Sequence, residues 1–312
     1  MIMFFDSFQS PRSGRHEQRD IAMIEKRNFY INGAWVAPAK PHDLAVIDPS
    51  TEEQCAVISL GSQGDTDAAV AAAKAAFPAW SATPLEDRLA ALERLEKIYK
   101  SRKTEMSEAM SLEMGAPKAL SESSQWGAGA WHIKEAIRAA RAYEFERKSG
   151  DDWIYHEPIG VAALITPWNW PMNQVTLKVI PALAVGCTVI LKPSEIAPLS
   201  SILLAEMIDE AGFPAGVFNM VNGDGTGVGS QLSVHPDVDM VSFTGSTRAG
   251  ALITKAAADS VKRVSLELGG KGANVIFADA DEKAVVRGVR HCFQNTGQSC
   301  NAPTRMLVEA SI

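Results

Sequence analysis

The sequence predicts an α/β protein built on a parallel sheet with helices on both faces. Two observations carry that expectation. After Pro158, short β-rich apolar runs alternate steadily with helical stretches, the pattern of strands joined by crossover helices. The residues with reactive or ligand-binding side chains also fall just past the ends of those strands, where such sheets bind ligands. With 312 residues, 46% hydrophobic and 21% charged, the chain can bury a sizeable core and divide into more than one domain.

Taken in order, residues 1–27 read as a loose, polar arm. They open on an apolar Met1-Ile2-Met3-Phe4-Phe5 that Asp6 ends before it reaches signal-peptide length. Alanines and leucines at helical spacing predict helices over residues 66–80 and 84–102, behind cap-like Asp65 and Thr83. A third helix is expected from about residue 119 to 142, with Trp126 and Trp131 as packing residues. Residues 149–157 turn extended, with Trp153 and Tyr155 on one face, and read as an edge strand that meets a partner chain. Strands then follow at 161–165, 187–191, 217–221, 240–243, 264–268 and 274–277. Between and after them come helices at 176–185, 200–211, near Thr226, near Ser246, and at 282–293.

Lys plus Arg total 30 against Asp plus Glu 37, a net charge of -7, and no basic stripe is interleaved with aromatics. Nucleic acid and anionic membrane surfaces are therefore not expected partners. No apolar run reaches the roughly 18 residues of a membrane span. Cys55, Cys187, Cys292 and Cys300 have neither zinc-type nor C-x-x-C spacing, so a reducing, cytoplasmic setting is expected.

Several loops carry chemistry. Gly223-Asp224-Gly225-Thr226-Gly227-Val228-Gly229 does not fit G-x-G-x-x-G in any placement, and reads equally as a tight turn or a ligand loop. Ser246, opening a helix after a strand, is either an anion-binding turn or a plain N-cap. Lys192-Pro193-Ser194-Glu195 is either a surface ion pair or a ribose site in which Glu195 accepts from two hydroxyls. In Pro167-Trp168-Asn169-Trp170-Pro171, Asn169 is an oxyanion donor or a turn asparagine. Met172, Gln174 and Val175 read as packing residues before tunnel-lining ones, Cys292 as a buried helical cysteine, and His291 as no metal ligand. Glu267 and Cys300, in glycine-flanked turns thirty-three residues apart, form a base and a thiol nucleophile, or a surface charge and a small buried hydrophobe.

These loops, in this order, resemble the aldehyde dehydrogenase superfamily over residues 29–308. The resemblance implies a Rossmann-type sheet and assigns Cys300 as nucleophile, Glu267 as general base and Asn169 as oxyanion donor. It also implies that Thr166, Trp168, Lys192, Ser194, Glu195, Gly225, Gly245, Ser246 and Leu268 bind the cofactor. Of these, Lys192 and Glu195 would hold the adenosine ribose, Ser246 the pyrophosphate, and Gly225 and Gly245 would permit close approach. The cofactor is expected to be NAD, with NADP possible, since Glu195 would repel a 2′-phosphate. The reaction would convert an aldehyde to a carboxylic acid through a thioester on Cys300.

By the same resemblance, residues 28–144 and 159–268 form the dinucleotide-binding domain and 145–158 a segment for homo-oligomerisation. Residues 269–312 are the start of an incomplete catalytic domain. The chain is then expected to be a partial enzyme with exposed apolar surface. Two competing readings are a non-catalytic nucleotide-binding fragment and a thiol esterase.

Overall fold

The computed structural model describes residues 23–312, so most of the expected N-terminal arm lies outside the described residues. Its last part is not a loose arm: Ile24–Lys26 form β1, which runs parallel to β5 (Glu53–Ser59). The antiparallel β4 (Asp43–Asp48) completes a three-stranded sheet of order β1-β5-β4. Between β1 and β4 lies a hairpin of β2 (Phe29–Ile31) and β3 (Ala34–Val36). Its two-residue loop, Asn32 and Gly33, has φ of 54° and 75°, the left-handed pair that Asn-Gly turns favour.

Helix α1 (Gln63–Ala82) starts three residues before its expected start. Asp65 is not the N-cap but the third helical residue, and its carboxylate accepts from the Ser62 backbone N–H at 2.8 Å and hydroxyl at 2.7 Å. Helix α2 (Leu85–Ser101) has Pro84, not Thr83, at its N-cap position, and α3 (Lys103–Met114) follows it. The expected third helix is interrupted: α4 (Lys118–Leu120) passes through a π-helical turn, Ser121–Gln125, into α5 (Trp126–Ala142). Such insertions collect at functional sites. An exposed hairpin, β6 (Glu146–Ser149) and β7 (Asp152–Tyr155), then precedes the main sheet.

The remaining elements alternate as expected. They are β8 (Val161–Ile165), α6 (Pro171–Ala184), β9 (Thr188–Lys192), α7 (Leu199–Glu210) and β10 (Phe218–Met220). After β10 come α8 (Ser230–Val234), β11 (Met240–Gly245), α9 (Thr247–Ala258) and β12 (Arg263–Leu268). The helix expected near Thr226 is a π-turn, Gly225–Gly229, leading into α8. Five strands run parallel in the order β12-β11-β8-β9-β10, and β2 and β3 extend the sheet antiparallel beyond β10.

Side-chain alternation along β8 shows why both faces are covered. Ala162 and Leu164 join one core with residues of α2, α5, α6 and α7, while Val161, Ala163 and Ile165 join another with residues of α1, α8 and α9. From β8 the chain steps to β9 and β10 on one side and later to β11 and β12 on the other. The gap between β8 and β11 is thus a topological switch point, where parallel sheets open a crevice at their carboxyl ends. Beyond it, β13 (Ala273–Ile276), α10 (Ala284–Phe293) and β14 (Arg305–Val308) form a small unit in which β13 and β14 pair in parallel.

Candidate active site

A cleft of about 910 Å³ opens at the switch point. Its walls come from the turn after β8 (Trp168, Asn169), the end of β11 (Thr244, Gly245, Ser246), the end of β12 (Leu268) and the loop carrying Cys300. Five of the expected site residues therefore share one cavity with the thiol: Trp168, Asn169, Gly245, Ser246 and Leu268. Cys300 is exposed at its edge.

Polar contacts dock the Cys300 loop onto the β8 turn. The Asn169 side-chain amide donates to the Gln298 carbonyl at 2.8 Å, and the Trp170 indole N–H donates to the Ser299 hydroxyl at 2.7 Å. Buried Asn295 donates to the Asn169 carbonyl at 2.8 Å, and Gln125, from the π-turn, donates to the same carbonyl at 3.1 Å. Gln125 also reaches Asn295 Oδ1 at 3.3 Å, so the insertion before α5 supports both halves of the contact. An amide NH2 group has two donors. One on Asn169 is engaged by Gln298, leaving the other for a ligand.

Glu267 lies elsewhere. Strand β12 is an edge strand with period-two alternation, so Leu266 and Leu268 pack toward α9 while Glu267 faces the opposite side. There it lines a second groove of about 780 Å³ with Lys178 and Ser242. Helix α6 joins the two cavities, with Asn173 and Gln174 in the first and Leu177 and Lys178 in the second. Lys178 is a residue that sequence reasoning passed over. Its ammonium donates to Ser242 Oγ at 2.8 Å, and burial pulls its pKa down to about 8 against the opposing pull of Glu267. The available signal was a lone cation in an otherwise apolar helical run.

The remaining expected residues line the ends of neighbouring strands. Lys192 closes β9 almost fully buried, and its ammonium meets Glu195 Oε2 at 3.2 Å. Burial lowers its pKa, and Glu195 partly offsets this. Glu195 itself is half-exposed on the turn and Ser194 is buried. The hydroxyls of buried Thr166 and of Thr244 and the amide oxygen of Gln174, the latter two in the main cleft, have no partner. Buried polar groups are normally hydrogen-bonded, so these three mark places for a ligand or ordered water. Gln174 thus lines the cleft, whereas Met172 and Val175 are core residues. Cys292 is half-buried, and His291 lines the cleft.

The two glycines expected to permit close cofactor approach differ in their surroundings. A Cβ on Gly245 would lie 2.4 Å from the Phe243 ring, so any larger residue there would force that ring to move. Around Gly225 a Cβ would meet nothing within 4 Å, while Asp224 caps the turn by accepting from the Gly227 N–H at 2.5 Å. This favours the turn reading of the glycine-rich loop. Ser246 caps α9, its hydroxyl accepting from the Ala249 N–H at 3.2 Å.

Comparison with known proteins adds independent findings. The model of the aldehyde dehydrogenase family matches residues 35–312. A 3-succinoylsemialdehyde-pyridine dehydrogenase from a Pseudomonas species is 54% identical over 291 residues, covering 93% of this chain and 61% of that protein. Among solved structures, an aldehyde dehydrogenase from Bartonella henselae superposes with a TM-score of 0.92 at 59% identity, over 93% of this chain and 62% of that one. A variant of aldehyde dehydrogenase C from Pseudomonas syringae, in complex with NAD+ and octanal, gives 0.90 at 50% identity, over 91% and 59% of the two chains. The chain thus spans about three-fifths of the length of these relatives.

Proposed function

Because the chain belongs to the aldehyde dehydrogenase family, we infer that its cleft binds NAD and serves the oxidation of an aldehyde to a carboxylic acid. The observation that carries this reading is the placement of Cys300, exposed in a switch-point cleft that it shares with Asn169, Ser246 and Leu268.

The residues fit the cofactor. Glu195 offers a half-exposed carboxylate beside buried Lys192 at the end of β9, and Thr244 offers an unpartnered hydroxyl in the cleft. A carboxylate at Glu195 accepts from ribose hydroxyls and repels a 2′-phosphate, which favours NAD over NADP. When bound, the nicotinamide supplies the hydride acceptor. The protein's own steps follow from its side chains. Cys300, as thiolate, attacks the aldehyde carbon. The free Asn169 amide donor, with the Cys300 backbone N–H, holds the oxygen as charge develops on it. After oxidation the acyl group remains on sulfur; Glu267, whose groove adjoins the cleft across α6, is the base assigned to the water that hydrolyses the thioester, which requires its carboxylate to swing toward the cleft. Lys178, the ammonium sharing its groove, provides a neighbouring proton carrier.

A second reading, nucleotide binding without turnover, is favoured by one observation. Helix α10 buries no residue, and β13–β14 expose Val275, Leu307 and Val308 beside the Cys300 loop. On the main reading, turnover belongs to a state in which that face is covered. The β6–β7 hairpin, with Trp153 and Tyr155 exposed and stacked, provides the contact for a homo-oligomer. The free thiols suit a reducing, cytoplasmic setting.

The test follows NADH absorbance with an aldehyde, nitrophenol release from an activated ester, and NAD+ binding. Cys300→Ala should abolish the first two and preserve the third. Dehydrogenase turnover that survives this substitution removes Cys300 as the nucleophile. An ester-only activity identifies the thiol esterase, and NAD+ binding alone identifies the non-catalytic reading.

A further inference from the structure

Helix α7 lacks a local cap. Its N-cap residue is Pro198, which has no side-chain acceptor, and the hydroxyl of Ser201 in its first turn has no partner. Leu199 and Ser200 are buried, so water cannot satisfy their N–H groups. The acceptor comes instead from another helix. Glu113, in the last turn of α3 and 1% exposed, accepts from the Leu199 N–H with one carboxylate oxygen, and from the Ser200 N–H at 3.2 and 3.3 Å. Burial pushes the Glu113 pKa up to about 7 against the pull of the Leu199 and Ser200 amides, so the carboxyl caps α7 chiefly as a hydrogen-bond acceptor, with the helix dipole favouring its ionised form.

The consequence lies one turn upstream. Residues 193–198 connect β9 to α7 and carry Glu195, paired with Lys192. Next to Glu113, Met114 and Ala116 pack on Ala197 of this segment and on Trp168 of the cleft. The end of α3 therefore grips the loops after both β8 and β9.

Building on the cofactor reading above, we propose that Glu113 is a positioning residue: by capping α7 from α3 it fixes the 193–198 turn in the pose that presents Glu195 to the nucleotide. Glu113 touches no reacting atom and acts through the turn. Its effect is on cofactor affinity.

Two readouts on the full chain test this. Hydrogen exchange of the Leu199 and Ser200 amides reports the cap without any cofactor, and NAD+ dissociation constants report its consequence. Glu113→Ala should speed exchange at those amides and weaken NAD+ binding about tenfold, the equivalent of one lost cap. Glu113→Gln, which keeps an acceptor oxygen, should restore most of the affinity. Leu95→Ala, a core truncation in α2, should lower the melting temperature and leave NAD+ affinity unchanged, which separates positioning from general destabilisation. If Glu195→Gln weakens NAD+ binding while Glu113→Ala does not, the positioning role is overturned and the cofactor reading stands. If exchange responds to Glu113→Ala but the unsubstituted chain does not bind NAD+, the cofactor reading fails and the proposal with it.

Discussion

Strands β8 and β9 bury every one of their residues, whereas all four residues of β14 are exposed and α10 buries none. The uncovered region is less apolar than the covered one, yet it still carries large apolar side chains. Phe277 is 61% exposed and Phe293 71%, in a segment as rich in valine as the buried one. An apolar side chain gains about 1.5–3 kcal/mol from full burial, and it gains this only where a neighbour supplies the cover. Strand β8 has β9 and β11 beside it and helices on both faces, while β14 pairs only with β13. The proposed chemistry straddles this divide. The cofactor loops hang on the covered block, and the nucleophile hangs on the uncovered one.

The sharpest test of the contrast is amide exchange. Amides of β8 and β9 should exchange about 10³-fold or more slowly than those of β14 and α10, since the former open only with the global unfolding of the domain. Equal protection would erase the distinction. Next in size is Glu267→Gln, which should slow thioester hydrolysis about 10²-fold or more while leaving NAD+ affinity within about twofold. A burst of NADH followed by slow turnover is the expected trace. A parallel loss of NAD+ binding would show that the two regions do not separate at β12.

Lys178 tests the covered side through pH. Its folded-state pKa is lowered to about 8 from 10.5, so between those values the unfolded chain holds more protons than the folded one. Stability should therefore rise with pH from about 8 to 10.5, and the full penalty of the buried charge is felt below 8. Lys178→Met should raise stability at pH 7 by about 2 kcal/mol and flatten that rise, as read from urea midpoints. The smallest effect is expected for Glu195→Gln. It should weaken NAD+ by about tenfold or less and narrow the preference over NADP, as measured by titration with both nucleotides.

Much of this was legible in residues alone. The parallel block followed from alternating apolar runs, because a strand covered on both faces needs continuous hydrophobicity and its crossover needs a helix. Strands β1–β5 were not foreseen. Most are short, and β1 and β5 pair only through a sheet assembled from segments far apart in sequence. The starts of α1 and α2 were displaced because Ser62 and Pro84 compete with Asp65 and Thr83 over the same few residues, and packing settles which is used.

The site divides in the same way. Cys300, Glu267, Asn169 and the Lys192–Glu195 pair are visible as residue types in turn-like settings, since reactive side chains at strand ends follow from local sequence. That Glu267 faces away from Leu268 also follows, because neighbours on a strand point to opposite sides. Which side holds the cleft depends on where α9 packs against β12 and α6 against β8. The buried amide contacts from Gln125 and Asn295, the ammonium of Lys178 and the cap from Glu113 likewise join elements distant in the chain. Local sequence therefore determined which groups are available, and only long-range packing decided which of them meet.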